Sequence, residues 1–262
     1  MNNLVIICAI LLLVLLFLKV PVYIAVLSAS AVYFIGTPGM NLSIFAQKTI
    51  SGAEGLSLLA IPFFVCAGIF MNYTGVTKRI MNCCEVLTAR MPGGLAQVNI
   101  LLSTLMGGLS GSSLADAAMQ CKMLVPTMES KGYSKSFSTV ITAASGMVVP
   151  LIPPGVGLII YGCINNISIG KLFIAGIGPG IVLCVTLMIF THFLSKKRGY
   201  LPSRTTKIPV SEKIAAVRPA FLPLLLPIII IGGVRIGVFT ASEAGTVAIV
   251  YAVLLGLLYK EL

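Results

Sequence analysis

Four polar side chains stand close together in an apolar part of the sequence and could bind a small cation. They are Ser110, Ser112, Ser113 and Asp116, in the run Gly-Gly-Leu-Ser-Gly-Ser-Ser-Leu-Ala-Asp that begins at Gly107. Hydroxyls, a carboxylate and the backbone carbonyls freed by a Gly/Ser run are hard oxygen ligands, which suit Na⁺; a lone membrane carboxylate also suits a proton. The run therefore predicts a cation site or a protonatable acid.

A second helix break lies in residues 148–157, which contain Pro150, Pro153, Pro154 and Gly155. A helix cannot run straight through such a segment, because proline lacks the backbone N–H and clashes with the preceding turn. In hydrocarbon an unwound backbone is tolerated only where its freed N–H and C=O groups face protein or a water-filled cavity. The two breaks together predict one buried polar site.

Two other interpretations of the first run stay open. Gly and Ser could serve only to let helices pack closely, with Asp116 near the membrane surface. The sequence Gly-Leu-Ser-Gly at 108–111 also matches the G-x-S-G of rhomboid-type intramembrane proteases, which need a histidine base beside the serine. The single histidine, His192, stands near the end of its apolar run, whereas Ser110 should lie deep. We therefore expect no enzyme, and the protease stays only as a remote alternative.

The composition places these residues in a membrane protein. Hydrophobic residues make up 58% of the chain, charged residues 10%, and the mean hydropathy is +1.06. The longest polar stretch, 195–219, is too short for a soluble core. These values predict an all-α integral membrane protein with a single transmembrane domain over residues 1–262.

Charge and cysteine content exclude other classes of function. The net charge is +11, but the Lys and Arg residues fall between apolar runs, where they set membrane topology, so we expect no nucleic-acid partner. The seven cysteines are mostly within apolar runs and form no C-x-x-C pair. They are therefore expected to be small buried hydrophobes rather than disulfides or ligands of a transition metal.

Apolar runs and breaks predict the order of the membrane elements. We expect a segment over 4–35 that bends at Lys19-Val-Pro into a steep span and a shallow interfacial helix. Further segments are expected as follows: an amphipathic connection over 37–54, spans over 55–71, 172–194, 220–234 and 239–259, a broken helix over 137–163, and a basic cytoplasmic loop over 195–219.

Residues 93–127 are predicted to form a re-entrant hairpin that enters the membrane and returns. With a hairpin, twelve Lys and Arg residues fall in three cytoplasmic connections, against Lys48, Lys171 and Arg235 outside, as the positive-inside rule favours. Each arm has about 16 residues, or about 24 Å of helix, which is short of a full crossing.

Four motifs give the chain a resemblance to one family. They are the runs that begin at Gly107 (GGLSGSSLAD), Leu151 (LIPPGVGLIIYG), Leu59 (LAIPFFVCAG) and Gly237 (GVFTASEAGTVAIVY). In this order and spacing they resemble the large membrane subunit, or permease, of tripartite ATP-independent periplasmic (TRAP) transporters. The likeness covers nearly the whole chain.

The resemblance implies an elevator-type secondary transporter that uses a Na⁺ gradient to import organic acids, such as C4-dicarboxylates or sialic acid, across a bacterial inner membrane. It implies two protein partners, a small membrane subunit and a periplasmic substrate-binding protein, and no cofactor besides the coupling ion. Residues 1–194 would be the first repeat and 220–262 the start of a second, inverted repeat, which stays incomplete. We therefore expect that residues 1–262 alone do not transport.

The resemblance also implies that the hairpin and the Pro-Pro break form one half of the ion and substrate site. We predict that Na⁺ is bound by Ser110 and Asp116 with backbone carbonyls of Val149 and Ile152, because a hairpin tip and a helix break both expose carbonyl dipoles. The substrate would face Gly111, Ser112, Ser113, Pro153 and Pro154, where free N–H groups at a helix N-terminus attract a carboxylate. The alternative function is a membrane scaffold or assembly subunit that does not transport.

Overall fold

The structure of the chain, a computed structural model, describes residues 2–202, 204 and 208–261, and at residues 2 and 108–110 only the backbone. Secondary structure within these ranges is helical throughout. The chain forms two compact units, residues 1–55 and 56–262, and each is described by itself.

The first unit contains three helices, α1 (Asn2–Phe17), α2 (Val22–Gly36) and α3 (Leu42–Ala53). The predicted interruption at Lys19-Val-Pro is confirmed, since α1 ends at Phe17, Lys19 has a left-handed backbone with φ 60°, and Pro21 caps α2. Asn41 caps α3, because its side-chain oxygen accepts a hydrogen bond of 3.0 Å from the N–H of Ile44.

The second unit contains nine further α-helices among its described residues. They are α4 (Ala60–Tyr73), which follows a 3₁₀ turn over Leu56–Leu59, α5 (Val76–Thr88), α6 (Gly94–Ser110), α7 (Ser113–Ser130), α8 (Lys135–Gly146), α9 (Val156–Asn165), α10 (Ile169–Lys197), α11 (Val210–Ile236) and α12 (Ala241–Tyr259). A 3₁₀ turn over Val149–Leu151 lies between α8 and α9.

Among the residues that the structure describes, four stretches are long and apolar enough to cross a membrane, namely 56–73 and helices α10, α11 and α12. The broken pair 135–151 and 156–165, bent by 41°, is a fifth if it counts as one span. Helices α6 and α7 have 17 and 18 residues, about 25 and 27 Å of helix, and neither reaches the apolar length of a span. The chain is a multi-pass membrane protein.

Helices α4 and α12 form the main helix pair of the second unit, and they pack through small residues. The buried side of α12 carries Ala241, Gly245, Ala248, Ala252 and Gly256, which share one face at helical spacing. A Cβ at Gly245 would lie 2.7 Å from Cβ of Phe63 and 3.4 Å from the carbonyl oxygen of Ala60. Small side chains let the two backbones approach closely, which is a common way for helices to associate in membranes.

Helix α11 contains three prolines, Pro219, Pro223 and Pro227, and a neighbouring helix compensates part of their cost. Each proline lacks the N–H that would bond to the carbonyl four residues earlier. The carbonyl of Pro219, freed by Pro223, accepts a hydrogen bond of 3.0 Å from the hydroxyl of Tyr259 on α12. The Tyr259 hydroxyl thus joins the two helices and supplies a partner for a carbonyl that the helix itself leaves free.

Three connections meet at one end of the second unit, which we call the basic end. They are residues 89–93, 131–134 and 198–204. The N–H of Gly93 donates to the carbonyl of Tyr200 at 3.2 Å, that of Arg204 to the carbonyl of Ala89 at 2.9 Å, and that of Ser134 to the Tyr200 hydroxyl at 3.1 Å. The ring of Tyr200 stacks on Tyr133, with 4.4 Å between centroids.

The polar stretch 195–219 differs from the predicted loop, because both flanking helices extend into it. Helix α10 continues to Lys197 and α11 begins at Val210. The last turn of α10 carries basic side chains, and the first turn of α11 carries Glu212. Both kinds of charge interact favourably with the dipole at that end of the helix. Polar residues therefore do not by themselves end these helices.

Because the connections on both sides of α6 and α7 meet at the basic end, Arg90 and Lys131 should face the same side of the membrane. In a chain freed of its native cysteines, single cysteines at Arg90 and Lys131 should react with an impermeant maleimide from the same face. A cysteine at Lys171, near the start of α10 and so about 40 Å along that helix from its basic end, should react from the other face. Labelling of Arg90→Cys and Lys131→Cys from opposite faces would exclude the re-entrant hairpin.

Candidate functional site

The tip of the α6–α7 hairpin consists of two residues, Gly111 and Ser112. Gly111 ends α6 with φ 61°, a left-handed conformation that glycine adopts without strain, and its N–H donates to the carbonyl of Gly107 at 3.2 Å. Ser112 caps α7, since its hydroxyl accepts from the N–H of Ala115 at 3.4 Å. The Gly/Ser run therefore ends one helix and starts the next, as the sequence indicated.

The second break separates α8 from α9. Helix α8 ends at Gly146, the 3₁₀ turn Val149–Leu151 follows, and α9 begins only at Val156. Pro153 and Pro154 are buried between these elements, and Val149 is fully buried. The prolines keep these residues out of a regular helix, so part of the backbone has no helical partner.

The hairpin tip and the second break contact each other directly. The carbonyl of Gly111 accepts a hydrogen bond of 3.2 Å from the N–H of Val156, the first residue of α9. A Cβ at Gly111 would lie 2.6 Å from the carbonyl oxygen of Pro154, and one at Gly107 only 3.0 Å from Cα of Val149. The prediction that the two breaks lie together is confirmed, and it is the glycines that permit the contact.

This junction lies within the length of a membrane-spanning helix rather than at its end. Leu151 and Ile152, in the break, pack against Gly176 and Gly180 of α10. Gly176 is about 10 Å from the start of α10 and Gly180 about 25 Å from its end at Lys197, at 1.5 Å per residue. The unwound backbone is therefore at membrane depth, where it is tolerated only when it is buried in protein or lines a polar cavity.

Asp116 is the one acidic side chain that is buried among the described residues, with 2% of its surface exposed. Its Oδ2 accepts hydrogen bonds from the Ser103 hydroxyl and from Nε2 of Gln120, both at 2.8 Å. Gln120 Nε2 also donates to the Ser103 hydroxyl at 2.6 Å. The other carboxyl oxygen, Oδ1, is buried and has no hydrogen-bond partner in the described part of the chain.

A cleft of about 140 Å³ lies beside this carboxyl group, between α4 and the hairpin. Its walls include Ile69 and Asn72 of α4, Met106 of α6, and Ser112 and Asp116 at the start of α7. The cleft is mainly apolar, and a space of this size has room for an ion or a few water molecules.

The structure divides the predicted site residues into two groups. Gly111 and Pro154 meet at the junction, and Val149 lies against Gly107 there, whereas Asp116 is held by Ser103 and Gln120 beside the cleft. Ile152 lies between the junction and α10, and Ser113 starts α7. The side chain of Ser110 lies outside the described residues, so its predicted role as a ligand stays a prediction.

Sequence reasoning missed a second buried polar network, which joins α6 to α8. Asn99 Nδ2 donates to the Thr142 hydroxyl, and Asn99 Oδ1 accepts from the Ser145 hydroxyl, both at 2.7 Å. All three side chains are fully buried. The network holds the first arm of the hairpin against the first half of the broken helix, and it could have been suspected from an Asn within an apolar run.

The protease interpretation gains no support from the geometry. His192 lies on α10 twelve residues beyond Gly180, about 18 Å further along the helix than the residue that packs against the break.

Within the described ranges, no group of three or more His, Cys, Asp or Glu side chains could hold a metal ion.

Comparison with known proteins gives a family model and several relatives. The model described as the DctM component of tripartite ATP-independent periplasmic transporters matches residues 9–262. A sialic acid TRAP transporter large permease protein of Vibrio cholerae is 41% identical over 242 residues, which are 92% of this chain and 56% of that protein. A 2,3-diketo-L-gulonate TRAP transporter large permease protein of Escherichia coli is 40% identical over 243 residues, 92% of this chain and 57% of that protein.

A third relative, an ectoine TRAP transporter large permease protein of Halomonas elongata, is 37% identical over 243 residues. These residues are 92% of this chain and 56% of the relative. The chain thus spans little more than half the length of these three curated relatives.

Proposed function

The chain belongs to the DctM family of TRAP transporters, and we propose that it acts as a large permease subunit in Na⁺-coupled import of organic acids. The observation that carries this proposal is the junction between the hairpin tip and the second break. Two interrupted helices that meet at membrane depth offer carbonyls and N–H groups to a solute, as the broken helices of secondary transporters do. Transport would follow an elevator-type movement of the hairpin and the broken helix.

The proposed Na⁺ ligands are the side chains of Ser110 and Asp116 with the carbonyls of Val149 and Ile152. Support comes from the burial of Asp116. Its Oδ2 accepts hydrogen bonds from two neutral donors, and its Oδ1 has no partner among the described residues. The ion pairs of the described residues are Arg79–Glu261 and Arg204–Glu212, so neither supplies a cation to Asp116. A buried carboxylate without a cation is costly in hydrocarbon, so a bound Na⁺ beside Oδ1 would compensate its charge.

The proposed substrate is an organic acid bound at the tip. The first N–H groups of α7 have no helical partner, and those not capped by the Ser112 hydroxyl would favour an anion. Pro153 and Pro154 would form the opposite wall. Two relatives are named for sialic acid and 2,3-diketo-L-gulonate, and both compounds are organic acids. C4-dicarboxylates are another group of organic acids that the proposal includes as candidate substrates. A periplasmic binding protein would deliver the substrate, and a small membrane subunit would complete the assembly in the bacterial inner membrane.

The Na⁺ dependence of uptake tests the proposal. The chain, joined to the remainder that its relatives possess, is reconstituted in liposomes with the small subunit and the binding protein, and uptake of a labelled organic acid is measured against Na⁺ concentration. Asp116→Asn should raise the Na⁺ concentration for half-maximal uptake about five- to thirtyfold, because a charge-assisted contact is worth about 1–2 kcal/mol. Ser110→Ala should raise it in the same direction.

Two matched variants serve as controls at the other end of the hairpin. Glu129→Gln and Ser130→Ala change exposed residues in the last turn of α7, so the Na⁺ dependence should stay at its wild-type value. If Asp116→Asn and Ser110→Ala also leave it unchanged, these side chains are not ligands and only backbone carbonyls remain as candidates. Assembly of the complex without any uptake would favour the scaffold function instead.

A further inference from the structure

Both ends of helix α5 contact the ends of longer helices in the second unit. At its start, Arg79 forms an ion pair of 3.4 Å with Glu261, just after the end of α12, and its guanidinium lies 3.8 Å from the ring centroid of Tyr259. At its other end, the carbonyl of Ala89 accepts from the N–H of Arg204, beyond the end of α10. Helix α10 runs towards the basic end, α11 runs away from it, and α12 runs back towards it. The last residues of α10 and of α12 therefore lie on the same side of the membrane.

A helix whose two ends are fixed to span ends on one side must run roughly parallel to that side of the membrane. Its composition agrees, since α5 is amphipathic. Val76, Ile80 and Cys84 are fully buried against the unit, whereas Lys78 and Leu87 are exposed. Such helices lie at the level of the lipid headgroups.

Two clefts lie along α5, one near each end of the helix. One, of about 230 Å³, is lined by Glu85 and Ala89 of α5, Leu95 of α6, Lys131 and Arg204. The other, of about 300 Å³, is lined by Lys78, Arg79 and Asn82 of α5, Pro219 of α11, and Glu261. Each cleft therefore combines apolar walls with two basic side chains and a single acidic one.

The second cleft carries a net positive charge, whereas the charges around the first cleft cancel. Glu261 is paired with Arg79, and Arg204 is paired with Glu212, which together account for the ion pairs in the described part of the chain. Lys78 and Lys131 belong to neither pair, and Glu85 is the acid that opposes Lys131 in the first cleft. The wider surface is also basic: the basic end carries Arg90, Lys135, Lys196, Lys197 and Arg198 as well.

We propose that the two clefts beside α5 bind the headgroups of anionic phospholipids, with Lys78 and Lys131 as the main contacts to phosphate. The lipid bilayer is the source of the phosphate because α5 lies at headgroup level between helices that span the membrane. Basic clefts between transmembrane helices on the positively charged side are sites of this kind. The bound lipids would hold α5 at the level of the headgroups.

Lipid binding to the purified chain tests this proposal without any transport measurement. Native mass spectrometry in detergent compares phosphatidylglycerol with phosphatidylcholine of the same acyl chains, and the wild type should retain phosphatidylglycerol preferentially. Lys78→Gln and Lys131→Gln should each weaken that binding about fivefold, the effect of removing one cation at a lipid surface. Glu85→Gln should strengthen it, because the opposing charge in the first cleft is removed.

The matched control is the pair Lys48→Gln and Lys171→Gln. Both lysines are exposed, Lys48 on α3 and Lys171 near the start of α10, and neither lines these clefts, so phosphatidylglycerol binding should not change. Equal retention of the two lipids, or equal losses in the control pair, would overturn the proposal. So would displacement of the lipid by an equal concentration of soluble glycerol phosphate, since the site would then be one for free phosphate.

Discussion

Gly111→Ala should destabilise the second unit by at least about 3 kcal/mol, because the substitution has two separate costs. A left-handed backbone costs a residue with a Cβ about 1–2 kcal/mol. The new Cβ would also lie 2.6 Å from the carbonyl oxygen of Pro154, and the backbone of the break must move to accept it. Thermal unfolding in detergent, followed with a fluorogenic maleimide that reacts as the buried Cys83, Cys84 and Cys184 become exposed, measures the loss.

Gly132→Ala separates the two costs. Gly132 has φ 86°, so alanine there meets a similar backbone penalty, but nothing lies within 4 Å of the added Cβ. Its expected cost is about 1 kcal/mol. Equal effects of the two substitutions would mean that the contact between the hairpin tip and the break contributes nothing to stability.

Ala248→Leu should destabilise the same unit by about 3 kcal/mol, because it overpacks the small-residue face between α4 and α12. Ala248 is 1% exposed and shares its helix face with Gly245, which already contacts Phe63 closely. The larger side chain would force the two backbones apart. The same unfolding measurement applies, with denaturation expected at clearly lower temperature than in the wild type.

Val250→Leu is the control on the same helix. Val250 is 54% exposed, so a larger apolar side chain there has room and should leave the unfolding temperature nearly unchanged. A similarly small effect of Ala248→Leu would show that α4 and α12 are not tightly packed and that other contacts hold the unit together.

Local chemistry explains what the sequence could predict. The Gly/Ser run and the Pro-Pro run stop helices by themselves, so the breaks at 111–112 and 152–155 follow from residue type. Their contact was also predictable, since exposed backbone groups in hydrocarbon need partners. The interruption at Lys19-Val-Pro has the same origin.

Contacts between distant segments explain what the sequence could not predict. Ser103 and Gln120 lie on different arms of the hairpin, and only the fold shows that both donate to Asp116. The orientation of α5 likewise depends on Arg79 and Ala89 meeting residues of α12 and of the segment after α10. Hydropathy also ended the span of α10 too early, at 194, and began the span of α11 too late, at 220. The reason is that hydropathy measures a preference for solvent rather than for helix.

The depth of the junction has an electrical consequence. The break packs against Gly176, which lies about 10 Å from the start of α10, so the tip is at most about a third of a ~30 Å hydrocarbon layer away from that membrane face. A monovalent ion that reaches the tip from that face therefore crosses at most about a third of the membrane voltage. At 100 mV this contributes up to about 0.8 kcal/mol to its binding, so the occupancy of such a site would depend on membrane potential as well as on concentration.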